Sequence, residues 1–189
     1  MVVDKLSNWL YQVSSGWVTL SAVLIFILFS ALVLPGQSAG SQSQDRESGS
    51  PDLSIYYSPA ELYEMAEAYG GQGRADYIRA RFTFDLIWPL VYTFFLTTTI
   101  SWVIKQTFTS QNPWQRVNLL PVMGMTCDYL ENIATSLVIY RYPAQTLVID
   151  WMAGVFTTLK WLLIGVGLSV LIVGIIIAIS QWIRKDRRE

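Results

Sequence analysis

Four long apolar stretches dominate this chain and leave few options for its fold. They run from Trp17 to Leu34, from about Phe84 to Ile104, from about Val117 to Ile139, and from about Trp151 to Ile183. Crossing the hydrocarbon of a bilayer takes about 20 mostly apolar residues as a helix, and each stretch is close to that length or beyond it. In 189 residues there is no soluble core large enough to hide all four. Composition agrees: 52% of residues are apolar and only 14% are charged, about half the charged share of a soluble domain. The expectation is an all-α membrane fold, a four-transmembrane-helix bundle with a short helical outer loop after helix 1.

The first stretch ends at Pro35-Gly36, which cannot continue a helix. Its apolar core exceeds the ~7–15 residues of a signal-peptide core, so residues 1–36 read as an N-terminal segment and a signal-anchor helix. Aromatic residues mark the ends of the spans as interface belts do. Trp17, Trp102, Trp114 and Trp182 fall to one surface, and Trp88, Tyr140, Tyr142 and Trp151 to the other. With both termini in the cytoplasm, the inner side holds Lys5, Lys105, Arg116, Arg184, Lys185, Arg187 and Arg188, and the outer side holds Arg46, Arg74, Arg79, Arg81 and Arg141. The excess of inner cations favours this orientation.

The first loop divides in two. Residues 37–57 begin with QSAGSQSQDRESGS, too polar to order itself, and read as a flexible tether. Residues 58–83 read as a helical outer-loop cap. Ser58-Pro59-Ala60-Glu61 is a capping-box start with proline at the first helical position. Leu62, Met65, Ala66 and Tyr69 follow at helical spacing, and Gly70-Gly71 are expected to stop the helix. A second segment, Arg74 to Phe82, leads into the spans of 84–183. Arg81 and Asp85 are four apart and can pair across one turn. Residues 184–189 form a basic cytoplasmic tail.

The absence of histidine is restrictive. It removes Ser-His and Cys-His catalysis, histidine-held metals and haem, and the usual neutral-pH proton shuttle. A single cysteine, Cys127, allows neither an internal disulfide nor a thiolate cage. No cofactor and no metal site is implied. A net charge of −1 with scattered cations gives no basic surface for nucleic acid.

What remains is a set of polar residues within the apolar stretches, where each is a functional-site hypothesis. Asp128, Glu131, Asn132 and Thr135 share one face of the third span, at spacings of three and four. The fourth span carries Lys160, and Asp85 opens the second, with Tyr92 about two turns on. Glu131 lies nine residues before Tyr140 and Lys160 nine after Trp151. Both therefore sit about 13 Å from the same interface at 1.5 Å per residue, placed to form an ion pair. Asp128, one turn deeper, is expected to be protonated or bonded to Asn132, Tyr92 or the second-span threonines. Polar groups between membrane helices also serve simply as packing contacts.

The ordered pattern of Tyr69-Gly70, Gly73-Arg74, Tyr77, Asp85 with Pro89, Asp128 with Glu131-Asn132, and Lys160-Trp161 resembles an uncharacterised family of bacterial four-helix integral membrane proteins. The likeness runs from about Tyr56 to the end of the fourth span. It implies a bacterial inner membrane and supplies no activity.

Three functions fit these residues. The first is an accessory or scaffolding subunit of a membrane complex, with lipid and a membrane protein as partners and no catalysis. In the second, a lipid- or isoprenoid-binding protein or intramembrane enzyme, Asp128 or Glu131 acts as acid or base and Lys160 holds an anionic head group. Asp85, Arg81, Arg74 and Tyr77 would then stand at the entrance and cap. The third is proton or cation passage, ranked last because the ionisable groups lie in the outer half of the spans.

Overall fold

The computed structural model describes residues 2–35, 51, 54–108 and 113–186. Of these, 88% are helical and none lies in a strand. In chain order the helices are α1 (Val2–Val13), α2 (Gly16–Leu32), α3 (Pro59–Ala68), α4 (Gly70–Arg81), α5 (Phe84–Thr107), a 3₁₀ helix (Pro113–Leu119), α6 (Leu120–Arg141) and α7 (Ile149–Asp186). Of the tether read over 37–57, residues 37–50, 52 and 53 lie outside the described residues, as do residues 187–189 of the basic tail.

Among the described residues, two helical runs are long and apolar enough to cross a membrane: Gly70–Thr107, which joins α4 to α5, and Ile149–Asp186. The pair α1 and α2 meets at 89° and becomes a third only if counted as one span. The 22 residues of α6 have the length, but Asp128, Glu131 and Asn132 lower its apolarity. An all-α chain with two such helices is consistent with a membrane protein.

The chain gathers into two compact units. One comprises Met1–Ile27, Val91–Met123 and Leu163–Glu189. Here α1 is a helix where the sequence reading gave only an N-terminal segment ahead of the span. Its polar edge is bonded to the 3₁₀ helix. Ser7 Oγ donates to Asn118 Oδ1 at 2.9 Å, and Asn118 Nδ2 donates to the Ser7 carbonyl and to Ser101 Oγ, both at 3.1 Å. Asn118 is fully buried and its amide is used on both sides, which is what a buried polar group requires. Gln115 Nε2 donates to Asn8 Oδ1 at 2.6 Å, and Arg116 pairs with Asp4 at 2.7 Å. Lys105 Nζ donates to the Ser14 carbonyl at 2.8 Å, where α1 has ended and the chain turns into α2.

Within the same unit Gly174 lies so close to α5 that a Cβ there would sit 2.6 Å from Val103 Cγ1. Gly174 thus serves close helix packing inside the chain. Thr98 and Thr99 donate to the carbonyls of Phe94 and Phe95 at 2.8 and 2.6 Å, the local bonding expected of threonines in such a helix. Ser101 Oγ accepts from Asn118 Nδ2.

The second unit comprises Leu28–Leu90 and Gly124–Leu162. Its core brings Tyr57, Leu62, Ala66 and Tyr69 against Ala134, Val138, Ile139 and Ala153. The capping box forms: Ser58 Oγ accepts from the Glu61 N–H at 3.3 Å, and Glu61 Oε2 accepts from the Ser58 N–H at 2.7 Å and its hydroxyl at 2.8 Å. Gly70, at φ +62°, makes the reversal between α3 and α4, a backbone shape that costs glycine nothing. Gly71 does not end a helix; it lies in the first turn of α4, which starts four residues before the expected Arg74.

The stretch before the cap also departs from expectation. Tyr57 is fully buried rather than part of a tether, and the Ile55 carbonyl accepts from Thr158 Oγ1 at 3.2 Å. Gly154 faces the Tyr57 carbonyl oxygen so closely that any Cβ would collide with it.

Gly154→Ala is expected to destabilise the protein by about 1–3 kcal/mol, the range for overpacking. Gly165→Ala, where a Cβ meets open space, is expected to be neutral. Thermal unfolding of both variants in detergent checks the contrast.

Glu61 gives a second expectation. Its bonds to the Ser58 backbone and then to the Ser58 hydroxyl hold its carboxyl below the ordinary value of 4.5. A depressed folded-state pKa contributes stability present above the unfolded value and lost as pH falls through the folded one. Amide exchange at the start of α3 is therefore expected to accelerate as pH drops below 4.5, after correction for intrinsic rates. Glu61→Gln is expected to remove that acid dependence.

A buried charged cluster as candidate functional site

The depth count in the sequence places Glu131 and Lys160 level, and the structure pairs them. Lys160 Nζ on α7 lies 2.6 Å from Glu131 Oε2 on α6. It also lies 3.5 Å from Asp128 Oδ1, one turn along α6. These residues are 5%, 1% and 8% exposed respectively. Lys160 also stands 5.4 Å from the ring centroid of Trp161. The expected pair is thus a triad, with Asp128 drawn to the ammonium rather than to Asn132.

Formal charge on the triad sums to −1. A buried ion is expensive to desolvate, and close partners recover that cost only when the geometry is good. The ammonium, engaged by two carboxylates of its own chain, is poorly placed to hold an anionic head group. With both carboxylates ionised, a ligand at this cluster meets a formal excess of negative charge.

Asn132 shares the α6 face with Asp128 and is 4% exposed. Neither end of its side-chain amide has a hydrogen-bond partner among the described residues, and the same holds for Ser136 one turn on. Tyr92 is buried on α5 and belongs to the first unit.

The cap residues form their own connected set. Arg81 Nη1 pairs with Asp85 Oδ2 at 3.0 Å, as their spacing predicts, and the Arg81 guanidinium lies 4.4 Å from the Tyr77 ring centroid. Tyr77 stacks on Tyr69 with centroids 5.6 Å apart. Arg74 Nη1 donates to the Ala66 carbonyl at 2.9 Å and lies 5.0 Å from the centroid of Tyr142. Ala66 is in the last turn of α3, so Arg74 satisfies a carbonyl that the helix leaves open. These contacts describe a fixed cap, built into the fold by its own residues.

Sequence reasoning missed the clamp that fastens this cap to the start of α7. The Tyr63 hydroxyl accepts from the Thr146 N–H at 2.8 Å and donates to Asp150 Oδ2 at 3.1 Å. An acid in the first turn of a helix was a readable signal for Asp150. Nothing local marks Tyr63, which lies 83 residues before Thr146. No protein-family model, curated protein or solved structure matches this chain.

The triad predicts an uneven mutational series. Lys160→Met leaves two carboxylates without their cation and is expected to cost about 3–5 kcal/mol, the penalty for breaking a buried pair. Glu131→Gln is expected to cost less, because Asp128 still neutralises the ammonium. Asp128→Asn removes the surplus negative charge and is expected to be the mildest of the three. Denaturation in mixed micelles measures the order.

Proposed function

We propose that this chain is a four-span integral membrane protein that serves as a non-catalytic, structural subunit of a membrane protein assembly. The observation that carries this reading is the pairing of the Lys160 ammonium on α7 with two carboxylates of α6. Glu131 and Asp128 both pair with Lys160 across α6 and α7, so the cluster acts as a lock between two helices.

Support for four crossings comes from helix length and from the aromatic residues. At 1.5 Å per residue, α2 is about 26 Å long and α6 about 33 Å, near the thickness of the hydrocarbon layer. The polar face of α6 is covered by Lys160, which offsets its lower apolarity. Trp17, Trp102, Trp114 and Trp182 all belong to one compact unit, and Trp88, Tyr140, Tyr142 and Trp151 to the other. Cytoplasmic termini follow from the cation distribution, and a bacterial inner membrane from the resemblance described above.

The partner reading rests on α7. Only 11% of its most apolar window is buried within the chain, against 56% for the run Gly70–Thr107. Ile172, Val173 and Ile176 are exposed on it. Lipid or another membrane helix covers such a face, and a subunit uses it for the latter.

A second reading, a lipid- or isoprenoid-binding protein, is favoured by the buried Asn132 and Ser136. The negative surplus of the triad directs that reading towards a neutral or cationic polar group.

The test is photo-crosslinking in native membranes. On a Cys127→Ser background, Ile172→Cys and Ile176→Cys are labelled with a benzophenone. Discrete protein adducts, with a membrane protein recovered in stoichiometric amount in mild detergent, are expected. Lipid adducts alone, from a chain that purifies by itself, would overturn the subunit reading.

A further inference from the structure

In a helix lying on a water-soluble protein, the apolar face points inward and the polar face outward. In α1 the order is reversed. Its polar edge is the one bonded to the 3₁₀ helix, through Asp4, Ser7 and Asn8. Its apolar residues face away: Val2 is 77% exposed, Leu6 41%, Trp9 57% and Val13 46%. At 3.6 residues per turn these four fall within about 60° of arc, a single narrow stripe.

From these observations we infer that α1 is an in-plane membrane helix whose Val2, Leu6, Trp9 and Val13 stripe is seated at the acyl-chain and head-group boundary of the bilayer. The right angle between α1 and α2 supplies the direction: if α2 crosses the membrane, α1 lies along its surface. Trp17, which opens α2, is 81% exposed, and Trp114 on the neighbouring 3₁₀ helix is exposed too. Exposed tryptophans at the start of a crossing helix mark the interfacial level. Lys5 is exposed beside the stripe, where a cation meets lipid phosphate. A helix of this kind, apolar on one side and polar on the other with little net hydrophobicity, belongs in the interface rather than across it.

This inference rests on the membrane reading of α2, and the experiment separates the two. The full chain carrying Cys127→Ser receives a nitroxide at Leu6→Cys, Trp9→Cys, Val13→Cys, Gln12→Cys or Ile172→Cys, one at a time. Each is reconstituted into phosphatidylcholine–phosphatidylglycerol vesicles, and relaxation by oxygen is compared with relaxation by a soluble nickel chelate. An oxygen-to-nickel ratio several-fold higher at Leu6, Trp9 and Val13 than at Gln12 is expected, with Ile172 higher still. Nickel-dominated relaxation along the stripe, with Ile172 oxygen-dominated, would place α1 in water and overturn the inference alone. Protection of the stripe from both reagents would mean that protein covers it, and would also overturn the inference. Nickel-dominated relaxation at Ile172 would overturn the membrane reading itself.

Discussion

A lysine ammonium held in an apolar unit sets a condition that neighbouring structure must meet. Transfer of such an ion out of water is recovered only by close, well-oriented partners. Glu131 and Asp128 are one turn apart on α6, so they meet a single ammonium from α7 only at one rotation and one register of the two helices. That geometry brings Ala134, Val138 and Ile139 of α6 into the core with Ala153 of α7. The cap then seats Tyr57, Leu62, Ala66 and Tyr69 on the surface that these small and branched residues leave. The apolar core supplies most of the burial, and the ion triad decides which packing receives it.

This dependence changes how the cap should be understood. A lid over a binding site needs contacts weak enough to open. Here Tyr63 is bonded to both Thr146 and Asp150, Arg74 closes the end of α3, and the Tyr57 carbonyl lies against Gly154. Arg81, which could have offered its charge at an entrance, is committed to Asp85 and Tyr77. Arg74, Arg81 and Lys160 are thus all engaged within the protein.

What could be read from the sequence followed from one-dimensional geometry. Helical periodicity put Asp128, Glu131 and Asn132 on one face, and counting inward from Tyr140 and Trp151 levelled Glu131 with Lys160. The i,i+4 spacing found Arg81–Asp85, and the capping-box pattern found Ser58–Glu61. Each needs only positions along one helix or equal depth on two. What escaped depends on distant chain neighbours. Ser7 and Asn118 are 111 residues apart, and neither carries a local signal of its partner. The burial of Tyr57 and the third position of Asp128 in the triad are of the same kind. The helix α1 was missed for another reason: a scan for long apolar stretches averages over its narrow stripe and its polar edge together.

The two amphipathic helices at the ends of this sequence logic run in opposite senses. In α3, Leu62 and Ala66 are buried while Glu61, Glu64 and Glu67 are exposed. In α1, Ser7 is buried while Val2, Leu6 and Trp9 are exposed. The exposed face of a helix reports the medium it meets, because that face has no packing to satisfy and is selected for its solvent. By that criterion α3 meets water and α1 meets lipid. Periodicity alone is the same for both helices. Only the identity of the face that the protein covers distinguishes them, and that identity is settled by Asn118 and Gln115 in one case and by Val138 and Ile139 in the other.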